Sequence, residues 1–129
     1  MIEEVEEEYS TVGTHIVVDC WGVNKHILND LNFFLTTGTI AIEKSGATIV
    51  GEPQTKQFEP QGVTVLFLLQ ESHLSFHTYP ERGFVAIDCY TCGYTVDPDI
   101  AIEIILKALS PKLINKKVLI RGTGNITIV

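Results

Sequence analysis

The segment Val63-Thr64-Val65-Leu66-Phe67-Leu68-Leu69 is the most apolar in the chain. A single glutamine separates it from Glu71-Ser72-His73-Leu74-Ser75-Phe76-His77-Thr78-Tyr79-Pro80-Glu81. The first run reads as a strand at the centre of a sheet. The second is dense in nucleophile, imidazole and carboxylate, which a strand that only fills a core has no use for. Another reactive group, Cys92, follows after the turn Pro80-Glu81-Arg82-Gly83 and a strand from Phe84 to Cys92. A central strand leading into a reactive run is thus the first constraint on both fold and chemistry.

The remaining elements follow from periodicity. Thr14 to Trp21 reads as a strand closed by Gly22. Lys25 to Ser45 reads as one helix, with Asn24 as N-cap and Ser45-Gly46 as stop. Its apolar face is Ile27, Leu28, Leu31, Phe34, Leu35, Gly38 and Ile42, and Thr36 to Thr39 are poor enough helix formers to predict a fray or bend. Ala47 to Phe58 reads as a strand interrupted near Gly51 and Pro53. A second helix opens at Asp97-Pro98 and stops at Ser110-Pro111, with Ile100, Ile104, Ile105, Ala108 and Leu109 as its buried face. Val118 to Ile120 and Ile126 to Val129 are short closing strands. The order strand, helix, three strands, helix, strand gives an α+β fold: a two-layer α/β sandwich, mostly antiparallel, with two helices on one face of the sheet. The other face is left uncovered, and its apolar content predicts a second subunit against it, a homodimer.

At 129 residues the chain suits one domain. The net charge of −7 is concentrated at the start: Glu3, Glu4, Glu6, Glu7 and Glu8 are five of the 16 acids, leaving 11 against 9 bases. Residues 1–11 are therefore expected to be an acidic tail and residues 12–129 a nearly neutral domain. An acidic tail argues against nucleic acid as a partner. No apolar run approaches the roughly 18 to 20 residues of a membrane span, and no secretory signal is visible, so the expected compartment is the cytoplasm. Cys89 and Cys92 form a C-x-x-C with no second pair to complete a zinc site, so no metal is expected. Residues three apart in a strand face opposite ways, which sends Cys89 to the side of Val85 and Ile87 and Cys92 to the other.

Ser72 has the carbonyl of Glu71 always within reach. A serine hydroxyl needs a base to become a nucleophile, and an imidazole works near neutral pH; His77 is the candidate. Attack on that carbonyl turns the amide into an ester by an N-to-O shift. Loss of the Ser72 α-proton then expels the ester, and the dehydroalanine left behind hydrolyses to a pyruvoyl group. The chain would become residues 1–71 (β) and residues 72–129 (α), the α chain headed by the pyruvoyl. Such a carbonyl condenses with an amine and accepts electrons as carbon dioxide leaves. Cys92 is the candidate acid that returns a proton to the product.

Three segments carry a family likeness: Gln61-Gly62-Val63-Thr64, the run Glu71 to Glu81, and Gly83-Phe84-Val85-Ala86-Ile87-Asp88-Cys89-Tyr90-Thr91-Cys92-Gly93. Together they resemble the short prokaryotic S-adenosylmethionine decarboxylases, more loosely from residue 12 to 122, with Gly13-Thr14-His15, Ser45-Gly46-Ala47-Thr48 and Arg121-Gly122 also similar. The resemblance implies a pyruvoyl made from Ser72 and cleavage between Glu71 and Ser72. It implies His77 and the Thr64 hydroxyl, where a serine is usual, as processing groups, and Cys92 as proton donor. Phe58 would stack on the adenine of S-adenosylmethionine, and Glu81 would stand near the substrate. It also implies a dimer with active sites at the interface and a product that donates an aminopropyl group to spermidine. Asp19, Arg82 and Tyr94 depart from the usual family residues, and relatives on the same scaffold act on arginine or ornithine. Those substrates, and a non-catalytic regulatory role, are the alternative readings; intact Ser72, His77 and Cys92 speak against the latter. His15, His26 and His73 read as structural or surface residues, with His73 the exception if any because it follows the cut. Trp21 reads as core or interface, and Arg121 as the partner of an acid.

Overall fold

The computed structural model describes residues 11–93 and 95–129; the glutamates of the acidic tail and Tyr94 lie outside them. Thr11, placed at the end of the tail from sequence, is tied to the domain: its hydroxyl donates to the Gly122 carbonyl at 2.7 Å.

Among the described residues, seven strands form one sheet in the order β2-β3-β4-β5-β1-β6-β7, and every pairing is antiparallel. The strands are β1 (Gly13–Trp21), β2 (Gln54–Gln57), β3 (Val63–Leu69), β4 (Ser72–Tyr79), β5 (Phe84–Cys92), β6 (Leu113–Arg121) and β7 (Thr127–Ile128). The helices are α1 (Lys25–Leu28), α2 (Leu31–Ser45) and α3 (Pro98–Leu109). The α+β sandwich expected from sequence is what forms, with the two long helices packed on each other and on one sheet face. The core between the layers includes Ile16, Val18, Val65, Phe67, Leu74, Phe76, Val85 and Ile87 from the strands. Phe34, Ile42, Ile102 and Ile105 come from the helices.

The reactive run is itself a strand. Sequence patterning left residues 71–79 unassigned, yet Ser72–Tyr79 form β4, paired to β3 along one edge and β5 along the other. Leu74, Phe76 and Thr78 enter the core, and His73, Ser75, His77 and Tyr79 take the opposite face. The alternation of Leu74, Phe76 and Thr78 with His73, Ser75 and His77 is the period of a half-buried strand.

Four other expectations need correction. The first helix is broken, not bent at Thr36 to Thr39: Asn29 ends α1, and Asp30 starts α2 by accepting from the Phe33 N–H at 3.2 Å. Gly38 sits mid-helix because a Cβ there would lie 2.6 Å from the Phe67 ring. The interruption expected near Gly51 and Pro53 is present, with Gly51 in the left-handed conformation, but the Ala47–Phe58 run is shorter than expected: β2 is only four residues long, preceded by a single bridge at Ile49. The buried stripe of α3 is Pro98, Ala101, Ile102, Ile105, Leu106 and Leu109, while Ile100 and Ala108 face outward. Strand β6 starts at Leu113, five residues earlier than Val118, because it pairs β1 from Trp21 back to Gly13. Backbone pairing there overrides the weak strand propensity of Asn115, Lys116 and Lys117.

Two polar clamps fix the loop that leads into β3. Asn29 Oδ1 accepts from the Gly62 N–H at 2.8 Å and the Gln57 Nε2 at 2.9 Å. Inside, the Thr78 hydroxyl donates to the Leu28 carbonyl at 2.7 Å and accepts from the Val63 N–H at 2.8 Å. Each buried polar group is thus satisfied where an orphan would cost about 1–3 kcal/mol.

Candidate active site

The sequence-predicted residues fall into two groups at opposite ends of β4. The first surrounds the peptide bond between Glu71 and Ser72. Glu71 lies in the β3–β4 turn, where its carboxylate accepts from the Thr48 N–H at 3.1 Å and holds the turn down. Its carbonyl oxygen accepts two hydrogen bonds from Cys92, one from the backbone N–H at 3.1 Å and one from Sγ at 3.2 Å. Strand β5 delivers both donors because Cys92 is its last residue. The carbonyl beside the Ser72 hydroxyl is therefore polarised by two donors, an arrangement that stabilises negative charge on its oxygen.

Behind Ser72 lies a chain of hydrogen bonds. Ser72 Oγ is 3.4 Å from His73 Nδ1, and His73 Nε2 is 2.8 Å from Asp88 Oδ1. The other Asp88 oxygen accepts from the Ser75 hydroxyl at 3.1 Å. His15 Nε2 approaches Asp88 Oδ1 at 3.4 Å, and Arg121 Nη1 lies 3.2 Å from His15 Nδ1. An arginine can only donate, so Nδ1 of His15 accepts and its Nε2 carries the proton. His15, His73 and Asp88 are spaced closely enough to hold a metal ion. The tautomer imposed by Arg121 leaves His15 Nε2 no lone pair for one. Tyr90 completes the group, with the Arg121 guanidinium 4.9 Å from its ring centre.

The second group is at the far end. Thr64 Oγ1 is 3.3 Å from His77 Nδ1, across the β3–β4 pairing. Both line a cleft of about 430 Å³ with Phe58, Gln61, Tyr79 and Glu81. Phe58 is exposed there, 44% of its surface open, with Lys56 Nζ 5.9 Å from its ring. Thr64, His77, Phe58 and Glu81 are thus brought together, and Ser72, Glu71 and Cys92 are brought together, but the two groups are apart. Five residues along a strand span about 16 Å. Between them runs a larger cavity of about 640 Å³ that reaches both His73 and His77, with Leu66 and Leu68 on its wall.

The three thiols differ as the alternation of β5 requires. Cys89 is buried among core residues, and burial, then the charge of Asp88, push its thiol up to about 12. Burial, then Asp19, push Cys20 up to about 11. Cys92 alone is partly open and lies against the scissile carbonyl.

Sequence reasoning missed Asp88, Ser75 and the parts played by His15 and Arg121. Arg121 meets His15 and Tyr90 rather than an acid. The available signal was Asp88 itself, an acid in an apolar strand, in phase with Ala86, Tyr90 and Cys92. His26 is exposed on α1. Trp21 packs 4.3 Å from Phe84, centre to centre, at the end of the open face remote from Ser72. Asp19 and Arg82 are exposed, away from the scissile bond.

A family model described as S-adenosylmethionine decarboxylase matches residues 14–122. A protein of Brevibacillus brevis named S-adenosylmethionine decarboxylase proenzyme is 55% identical over 122 residues, 95% of this chain and 91% of that one. One of Bacillus cereus, named S-adenosylmethionine decarboxylase proenzyme 2, is 55% identical over 119 residues, covering 92% and 96% of the two chains. Among solved structures, the adenosylmethionine decarboxylase from Aquifex aeolicus superposes with a TM-score of 0.82 at 34% identity, over 89% of this chain and 94% of that one.

Proposed function

The chain belongs to the S-adenosylmethionine decarboxylase family and is a decarboxylase of that family; on that premise we propose that it cuts itself between Glu71 and Ser72, turns Ser72 into a pyruvoyl group, and releases carbon dioxide from S-adenosylmethionine. The product donates an aminopropyl group to spermidine synthesis, and the enzyme works in the cytoplasm. Among the described residues no helix is long and apolar enough to cross a membrane. The relatives are named for S-adenosylmethionine, and nothing favours arginine, ornithine or a non-catalytic role.

The observation that carries the reading is the Glu71 carbonyl. A strand-end carbonyl held by both an N–H and an S–H of Cys92, beside a serine hydroxyl, fits an acyl shift better than it fits a structural turn. Attack by Ser72 Oγ puts negative charge on the oxygen those donors face. Collapse breaks the amide and leaves Glu71 esterified to Ser72. The α-proton of Ser72 must then leave with the ester carboxylate, and the dehydroalanine so formed takes up water and loses ammonia.

A pyruvoyl carbonyl, once made, supplies the electron sink that decarboxylation of an α-amino acid requires. Cys92 Sγ, released from the Glu71 carbonyl by the cut, then holds a proton for the former α-carbon of the product. Phe58 offers an aromatic face for the adenine, and Glu81 a carboxylate for the cationic substrate.

One chain cannot bring His77 to Ser72 across about 16 Å of strand. The open face that carries His73, Thr64, His77 and Cys92 also exposes Leu66 and Leu68 at 42% and 60%. Two copies with these faces together form an isologous dimer in which each buries the other's apolar wall. The partner subunit's His77 and the partner subunit's Thr64 then stand at Ser72. His77 removes the α-proton, and the Thr64 hydroxyl orients its ring. The test is direct: incubation with S-adenosylmethionine should release carbon dioxide and leave two chains on a denaturing gel, whereas turnover of arginine or ornithine alone would reject the substrate assignment.

A further inference from the structure

We infer that His73, set in its tautomer by Asp88, is the base that starts self-cleavage, and that this first step belongs to a single chain. The inference deepens the self-processing reading and rests on it. His77 was the base expected from sequence. It lies about 16 Å along the strand from Ser72, while His73 lies 3.4 Å from the Ser72 hydroxyl within the same chain.

The tautomer follows from the partners. Asp88 faces His73 Nε2 at 2.8 Å, and an ionised carboxylate only accepts, so Nε2 carries the proton. The lone pair of neutral His73 is then on Nδ1, the nitrogen that faces Ser72 Oγ. Asp88 is itself held, by Ser75 at 3.1 Å and by His15, whose Nε2–H is dictated by Arg121. His15, Ser75 and Arg121 are therefore positioning residues for Asp88, and Asp88 for His73. The order serine, imidazole, carboxylate, opposite a carbonyl held by two donors, is a complete acyl-transfer set.

The step balances. His73 Nδ1 takes the Ser72 hydroxyl proton as Oγ bonds to the Glu71 carbonyl carbon. The carbonyl electron pair moves to oxygen, between the N–H and S–H of Cys92. The pair returns, the carbon–nitrogen bond breaks, and the Ser72 nitrogen takes the proton from His73. An ester and a free amine result, with no other reactant. Work is thereby divided: His73 makes the ester in its own chain, and the partner subunit's His77 eliminates it.

Hydroxylamine cleaves an ester at this position and leaves an amide intact, so it reads the first step alone. His77→Ala chains should accumulate the ester and be cut by hydroxylamine. His77→Ala combined with His73→Gln keeps the donor to Asp88 but has no basic nitrogen, and its ester should form at least about 100-fold more slowly. His73→Ala with His77→Ala should behave alike, and added imidazole should restore hydroxylamine cutting there but not in the glutamine chain. Asp88→Asn should slow ester formation in the His77→Ala chain and cost nothing further once His73 is glutamine. If hydroxylamine cuts the glutamine double variant as fast as His77→Ala alone, while the wild type still processes, His73 is not the base. If the wild type never cuts itself, the proposed function fails first, and this inference with it.

Discussion

Mixing two inactive chains gives the sharpest test of the shared site. Ser72→Ala removes the attacking hydroxyl and leaves His77 and Thr64 in place. His77→Ala does the reverse. Each alone should yield no α chain. Reach decides the outcome: proton transfer needs a heavy-atom approach of about 3 Å, and five strand residues separate Ser72 from its own His77 by about 16 Å. When the two are co-expressed in equal amounts with different tags, random pairing puts about half of the His77→Ala chains beside a Ser72→Ala partner. Those chains meet an intact His77 and should be cut, so about half of the His77→Ala chains should appear as two fragments on a denaturing gel. The Ser72→Ala chains should stay whole. If the His77→Ala chains remain as uncut as when expressed alone, although tags show mixed dimers, the two groups at opposite ends of β4 do not meet across subunits and the reasoning is refuted.

Thr64→Val keeps the shape and deletes the hydroxyl that lies 3.3 Å from His77 Nδ1. It should slow the appearance of the α chain and accumulate the hydroxylamine-sensitive ester, and a normal cutting rate would remove Thr64 from the mechanism. Cys92→Ala removes one of two donors to the Glu71 carbonyl, so it should slow cutting about 100-fold, and the fraction that is cut should turn over orders of magnitude more slowly. Cys89→Ala, on the core side of the same strand, should cost roughly 1 kcal/mol in a urea melt and leave cutting intact; equal loss of activity in both would mean the wrong cysteine is assigned. The thiols of Cys89 and Cys20, raised from 9.0 to about 12 and about 11, remain protonated in the fold after the unfolded chain has ionised. Their stabilising share is complete below pH 9.0 and is lost as pH rises through about 11 and 12. Urea midpoints of uncut Ser72→Ala should fall from about pH 9 to pH 11, less steeply with both thiols replaced by alanine, and identical slopes would contradict this.

The parts of the fold that sequence made legible are those where side chains and backbone agree. Strand β1, strand β3, strand β5 and the caps at Asn24 and Asp97 were readable because alternation or a capping residue marks them. The same alternation runs through β4, with Leu74, Phe76 and Thr78 inward and His73, Ser75 and His77 between them, so this strand was legible too, although its reactive side chains pointed first to chemistry. Strand β6 was hidden in part because pairing with β1, not composition, defines its first residues. The site residues named from family likeness lie at the two ends of β4. Their separation into two groups was not readable, since a five-residue interval says nothing of chemistry until it is known to be extended. Asp88 escaped for a related reason: it is 15 residues from His73 in sequence, and the two meet only through the β4–β5 pairing.

An intact-mass measurement on the purified protein tests self-conversion at Ser72 most directly. Two masses are expected: residues 1–71 with an ordinary carboxyl end, and residues 72–129 lighter than a serine-headed fragment by one ammonia and blocked to stepwise amino-terminal sequencing. A single uncut mass from a preparation that fully decarboxylates S-adenosylmethionine would contradict the account.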